Sequence, residues 1–305
     1  MSEAIVAQIG GQKKTRLKVR PLTPCFGVLI DGIDLSAMIK DTMFDQIHRE
    51  FVEKSLIVIP GQKLTPKTQI GFSKRFGALE CHVLNQYCLE EHPEILVVSN
   101  LQKNGRHIGA YGGSKKFHTD LAYIAEPSLG SLFYCLECPE GEGETSFISM
   151  SAVYEALPVE KRDWLEDKQI IFDYGWHHDR EHAHRSPMTP EQRAKTPPVT
   201  HPAVRTHPVS GRRSLYVSEF HARQFVNMSE EQSQSIFDEL IKFANQPEFG
   251  YTHSWTPGDL VIWDNRCLLH KAMPFDEEHA RRLMHRTTVK GDKPFLNAQR
   301  RENKK

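Results

Sequence analysis

In the stretch Phe117-His118-Thr119-Asp120-Leu121 an imidazole and a carboxylate are separated by one residue. On extended backbone alternate side chains project to the same face, so both groups would reach one ion. A second imidazole would complete a set of three ligands, and the candidate is His270, which closes Trp263-Asp264-Asn265-Arg266-Cys267-Leu268-Leu269-His270. Two histidines and one carboxylate on one face of a metal leave the opposite positions open, the arrangement associated with non-haem Fe(II) oxygenases. Taken singly, His118 reads more readily as a hydrogen-bonded core histidine and Asp120 as a turn residue.

Arg282 and Arg286 are four residues apart. On one strand they would face the same way, about 13 Å apart at ~3.3 Å per residue, with His285 turned to the other side. Two inward cations each need an anion, and a guanidinium fork matches a carboxylate. Two bound anions, one at each arginine, would satisfy both. The competing reading pairs them with interior Asp or Glu residues, or turns them to water.

The elements that must position these groups are mostly short strands. Strand patterns cover Ser55 to Pro60, Ile95 to Ser99, Ser131 to Glu137, Gln169 to Tyr174, Leu215 to Ser218, Asp259 to Trp263 and Arg282 to Lys290. Turns at Gly112-Gly113, Gly141-Glu142-Gly143 and Thr256-Pro257-Gly258-Asp259 favour antiparallel pairing. Helices are predicted behind Asp41 as N-cap, with Phe44, Ile47 and Phe51 on one face, and from Thr65-Pro66 to Gly77. Two more are predicted, over 152–167 and from the capping box Ser229-Glu230-Glu231-Gln232. Many strands with a few outer helices predict a mainly β protein with flanking helices, built as a jelly roll. The His-, Pro- and Arg-rich segment 176–208 lacks periodicity and is expected to be a lid-like or solvated loop. Its His177, His178, His182 and His184 share no face of a defined element.

A chain of 305 residues can be one elaborated β domain and buries enough surface to need neither disulfide nor structural metal. We expect a flexible N-terminus over 1–16, one domain over 17–294 and a flexible tail over 295–305. The 39 basic and 39 acidic residues cancel, which argues against a nucleic-acid or membrane surface. No apolar run approaches the roughly 18 residues of a spanning helix, and no signal-like segment opens the chain, so a cytoplasmic protein is expected. Six cysteines are read as free thiols. Cys135-Leu136-Glu137-Cys138 has the spacing of half a zinc site or a redox pair, but no second such pair exists.

Together, Phe117-His-Thr-Asp120, Gly141-Glu-Gly-Glu-Thr145, Gly258 to Arg266, His270 and Arg282-Leu-Met-His-Arg286-Thr-Thr resemble the taurine dioxygenase and dichlorophenoxyacetate dioxygenase family. The resemblance runs from about Leu17 to Pro294. It implies a cupin-like double-stranded β-helix that uses Fe(II), 2-oxoglutarate and O2. It makes His118, Asp120 and His270 the iron ligands, Arg282 the partner of the distal 2-oxoglutarate carboxylate and Thr145 its hydrogen-bonding neighbour. Arg286 would hold an anionic group of the substrate, with His82, Ser114 and Leu121 as further substrate contacts. Ser114 stands where the taurine enzymes carry an Asn, which tells against a sulfonate.

The implied reaction turns 2-oxoglutarate into succinate and CO2 and takes hydrogen from the substrate. Asp120 fills the ligand position that a halide would need, so hydroxylation is favoured over halogenation, with desaturation or cleavage after hydroxylation left open. A small carboxylate leads as substrate, aryloxyalkanoate-like or a natural-product acid, ahead of a sulfonate or sulfate ester. From other classes, a zinc hydrolase would accept the same ligands, and a non-catalytic jelly-roll binding protein would carry a degenerate site. Self-association into a homo-oligomer is left open.

Overall fold

A computed structural model describes residues 17–81, 85–111, 115–181 and 188–297. The larger sheet runs in the order Lys18–Pro21, Val28–Asp31, Leu56–Ile59, Leu260–Asp264, Gly130–Glu137, Leu283–Val289, His92–Ser99 and Cys88–Leu89, with Leu79–Glu80 beside Leu283–Val289. Its pairings are antiparallel except that of Val28–Asp31 with Leu56–Ile59. A smaller antiparallel sheet orders Gly250–His253, Thr145–Ser149 and Leu268–Ala272, and an isolated bridge joins His118 to His270.

Alternation along the strands separates the layers. Val58, Phe133, Cys135, Val261, Trp263 and Met284 from the larger sheet meet Phe147 and Leu268 from the smaller one in a single buried cluster. Their sequence neighbours Ile57, Ile59, Leu132, Tyr134, Leu260 and Ile262 face the other way and pack with Phe44, Ile47, Phe51 and Phe72 of the two N-terminal helices. Ile148 and Leu269, the outward neighbours of Phe147 and Leu268, pack with residues of the segment between Met150 and Phe249. A period of two buries both faces of each sheet. Two sheets face to face with helices outside make a jelly roll, as the strand-rich sequence implied.

Helix ends follow local chemistry. Pro66–Ser73 begins with Pro at its first position behind a Thr65–Thr68 capping box, and Glu230–Ala244 starts on the Ser229–Gln232 box. Asp41 is not an N-cap. Lys40 holds that position in Asp41–Lys54, and Asp41 lies in the first turn, ion-paired with Arg75 at 2.6 Å. Nor is Gly77 a helix terminus, because Pro66–Ser73 ends earlier, on Lys74. The single helix expected over 152–167 is two, Met150–Ala156 and Val159–Glu166. Pro158 offers no N–H and pushes Leu157 to extended backbone, with ψ 146°.

The largest departure concerns 176–208. Its described parts are ordered elements, with Tyr174–Glu181 and Pro190–Lys195 helical and Val199–Pro202 paired to Gln169–Phe172. The helix at Pro190 has the capping box Thr189–Gln192, a signal of the kind that located Ser229. His182 and His184 lie outside the described residues. The tail expected to be flexible from 295 is tied at its start, where Thr206 N donates to Phe295 O at 2.8 Å and Asn297 N to Thr206 Oγ1 at 3.0 Å. Among the described residues no helix is long and apolar enough to cross a membrane.

His201 links this segment to the chain that follows Asp120. Its Nε2 bonds the carbonyls of Ala122 at 3.1 Å and Ile124 at 3.0 Å, and burial lowers its pKa to about 4. An unfolded histidine takes its proton near pH 6.5, so acid favours the unfolded chain below that value. Stability should be full above about pH 6.5 and fall as pH drops toward 4. Melting temperatures of wild type and His201→Gln across this window check it, since the variant should show a shallower acid slope.

Candidate active site

The backbone brings the two histidines together. His118 N donates to His270 O at 3.0 Å and His270 N to His118 O at 2.8 Å, so the residues face one another across an antiparallel bridge. Side chains of such a pair emerge on one face, and the ring centroids are 4.2 Å apart. Asp120, two residues on, presents Oδ1 to both imidazoles, 4.0 Å from His118 Nε2 and 3.9 Å from His270 Nε2. One ligand atom from each residue lies within 4.8 Å of the others, the only such group of three metal-ligating side chains among the described residues.

Neighbours orient each ligand. His118 Nδ1 lies 3.0 Å from the Lys116 carbonyl, which acts as acceptor and so leaves Nε2 with its lone pair toward Asp120. Its ring packs on Phe220 at 5.1 Å, while His270 packs on Trp263 at 4.8 Å. The second carboxylate oxygen of Asp120 accepts from Ser131 Oγ at 2.8 Å and from Asn265 Nδ2 at 3.4 Å. Leu121 follows at φ +58°, a left-handed conformation that costs a residue with a side chain on the order of 1 kcal/mol or more.

Electrostatics suit a cation. Burial lowers the pKa of both imidazoles, that of His270 to about 3, so both are neutral at neutral pH and could serve as donors to a metal. Burial alone would raise Asp120, but the Arg286 charge, with the Ser131 hydrogen bond beside it, holds the carboxyl well below the usual carboxylate range. Neutral imidazoles with an ionised carboxylate are a donor set that Fe(II) accepts.

The two arginines differ. Arg286 is not an unpaired inward cation, because its Nη1 lies 3.1 Å from Asp120 Oδ1. The alternative of pairing with an interior acid therefore holds for Arg286 in this structure. Arg282 is buried at 7% exposure, and no carboxylate pairs with its guanidinium among the described residues. Its main chain is held by Asn100 Oδ1 and Ser99 Oγ, and its guanidinium lies 5.6 Å from the Phe133 ring. Burial pulls its pKa below the ordinary arginine value. Phe133 packs edge-on against Trp255 at 5.4 Å, and Trp255 Nε1 donates to Thr145 Oγ1 at 3.0 Å, so Thr145 and Arg282 belong to one contiguous cluster. Thr145 also lies two residues from Phe147, the ladder partner of His270, on the same face. On the opposite face of the arginine strand, Thr287 bonds Ser73 of the second helix at 2.7 Å. His285 shares that face by alternation.

His82 and Ser114 lie outside the described residues. Sequence reasoning missed a group of rings beside the ligands: His177 packs 4.2 Å from Phe220, His221 lies 5.1 Å from His177, and Tyr123 lies 4.7 Å from both His221 and Tyr174. Burial, Tyr174 and the Asp120 charge push the Tyr123 hydroxyl pKa up, which places that ring within electrostatic reach of the ligand carboxylate. Only the clustering of His177 and His178 was visible in advance, and nothing tied it to Phe220.

A jelly roll whose inner face gathers two imidazoles and one carboxylate defines a class of proteins with a facial metal centre. The chain belongs to the Taurine catabolism dioxygenase TauD, TfdA family, whose model matches residues 18–288. It is 31% identical over 279 residues to the alpha-ketoglutarate-dependent 2,4-dichlorophenoxyacetate dioxygenase of Cupriavidus pinatubonensis, covering 88% of this chain and 96% of that one. It is 30% identical to pentalenolactone F synthase of Streptomyces arenae, covering 88% and 93%. A crystal structure of a taurine dioxygenase from Burkholderia xenovorans superposes with a TM-score of 0.76 at 25% identity, covering 91% and 92%. The protein is a 2-oxoglutarate-dependent dioxygenase, an oxidoreductase that uses Fe(II), 2-oxoglutarate and O2. The zinc-hydrolase and non-catalytic readings are thereby set aside.

Proposed function

We propose that His118, Asp120 and His270 hold Fe(II), that Arg282 and Thr145 hold the distal carboxylate of 2-oxoglutarate, and that the substrate is a small carboxylic acid anchored by Arg286. The observation that carries the reading is the buried Arg282 guanidinium, which no carboxylate pairs among the described residues, in the cluster that contains Thr145. A buried cation without a counter-charge is unfavourable by several kcal/mol, and a carboxylate ligand removes that cost. Bound here, Fe(II) with 2-oxoglutarate and O2 supplies the oxidising power for C–H hydroxylation, with succinate and CO2 as coproducts.

The chain's own residues bind, aim and exclude. Thr145 Oγ1 accepts from Trp255, leaving its hydroxyl proton for a carboxylate beside Arg282. Arg286 uses Nη1 on Asp120, while its Nε has no partner among the described residues, so donors remain for a substrate anion. Tyr123, Phe220 and His221 supply flat rings next to the ligands, a surface suited to an aryl or polycyclic acid. This agrees with the aryloxy acid named for the 2,4-dichlorophenoxyacetate relative. Leu121, His82 and Ser114 remain proposed contacts. The described start of the 176–208 segment, whose His177 packs against Phe220, is proposed to close over the substrate. A cytoplasmic setting suits its six free cysteines.

The test is a screen of small acids, sulfonates included, for O2 uptake and succinate formation that depend on both substrate and Fe(II). A carboxylic acid should couple best, and preferential coupling to a sulfonate would overturn the carboxylate assignment. Because Arg286 also contacts Asp120, the informative quantity is a ratio. Replacing the substrate acid by its neutral amide should lower kcat/KM by a factor of about 10 to 1000, matching a charge-assisted pair of roughly 1.5–4 kcal/mol. Arg286→Ala should erase most of that preference, and a variant that discriminates as strongly as wild type would move the anchor elsewhere.

A further inference from the structure

Asp120 is held from behind by a network that no metal ligand belongs to. Ser131 Oγ donates to Asp120 Oδ2 at 2.8 Å, and Asn265 Nδ2 lies 3.4 Å from the same oxygen. That amide also donates to Ser128 Oγ at 2.8 Å, while Asn265 Oδ1 accepts from Trp263 Nε1 at 2.9 Å. These bonds orient the amide, since Trp263 Nε1 can only donate and so fixes which end of Asn265 carries oxygen. Ser131 is fully buried at the start of Gly130–Glu137, between Trp263 and Thr288 of the neighbouring strands. Neither the amide nor the hydroxyl is free to turn, and both point at Oδ2.

The other oxygen, Oδ1, faces both Nε2 atoms and accepts one bond, from Arg286 Nη1 at 3.1 Å, which leaves it a lone pair where Oδ2 already has two donors. A carboxylate has two equivalent oxygens and can bind a metal with one or both. Donors fixed on Oδ2 raise the cost of turning it toward the ion. We propose that Ser131, backed by Asn265, is a positioning residue that makes Asp120 a one-oxygen ligand. The inference rests on the ligand assignment above.

The test uses Co(II) as probe, without 2-oxoglutarate, and reads the dissociation constant and the visible ligand-field spectrum of the purified protein. Ser131→Ala should weaken Co(II) binding by about 10–100-fold, the usual effect of losing a group that orients a ligand, and should change the spectrum as the carboxylate turns. Ser128→Ala, which removes the acceptor of the Asn265 amide, should move both readouts in the same direction by less, and it carries the test if Ser131→Ala does not fold. Ser73→Ala loses an equally buried hydroxyl bond, 2.7 Å to Thr287 on the far face of the sheet, and should bind like wild type. Wild-type affinity and spectrum in a folded Ser131→Ala, or in Ser128→Ala where that variant stands in, would overturn the proposal. So would a Ser73→Ala change as large as that of Ser131→Ala. If wild type and His270→Ala bind Co(II) equally, the ligand assignment itself fails, a result distinct from either.

Discussion

Replacing His118 or His270 by Ala is expected to abolish turnover while leaving the fold in place. The backbones of the two histidines are joined by bonds at 3.0 and 2.8 Å that the substitution does not touch, and the surrounding layers are apolar. Loss of one of three ligands leaves a two-point site, and metal affinity falls with it. Asp120→Ala should be equally inactive but less stable. It removes the partner of Arg286 at 3.1 Å and the acceptor of Ser131, which strands one cation and one buried hydroxyl at a cost of about 1–5 kcal/mol. Thermal melts read beside succinate formation separate the two effects, and full activity in any of the three variants would remove that residue from the ligand set.

Arg282→Ala has the second largest expected effect, and it should fall on the cosubstrate. The guanidinium is buried with no acid beside it among the described residues, so a bound carboxylate would gain a charge-assisted bond in a low-dielectric site. Removing it should raise the 2-oxoglutarate requirement by a factor of about 30 to 5000, from a loss of roughly 2–5 kcal/mol. The free protein should not lose stability correspondingly, because a buried cation without a partner contributes none. Titration of 2-oxoglutarate against succinate release checks this. An unchanged requirement with weaker use of the organic substrate would mean that the roles of Arg282 and Arg286 are reversed.

What could be read in advance was whatever local chemistry decides. Phe133 and Tyr134 alternate between layers as a period of two requires, and the Ser229 box opens a helix where it should. The break at Pro158 and the Thr189–Gln192 box were equally local and were passed over, the first because an apolar pattern runs across the proline, the second because its surroundings are polar. Other features were not legible because they depend on closure of the barrel. The Arg286–Asp120 pair joins residues 166 apart, and the Asn265 amide reaches Asp120 across 145. That His118, Asp120 and His270 come together was legible through motif order, but the bridge that aligns the histidines is a property of the sheet.

The central claim is that these three ligands and Arg282 form one site for Fe(II) and 2-oxoglutarate, and visible absorption of the oxygen-free protein tests it most directly. Adding Fe(II) and then 2-oxoglutarate should produce a charge-transfer band in wild type. The band should be absent in His270→Ala and should need far more 2-oxoglutarate in Arg282→Ala. A band of wild-type intensity in His270→Ala, or one reached at the same 2-oxoglutarate concentration in Arg282→Ala, would contradict the account.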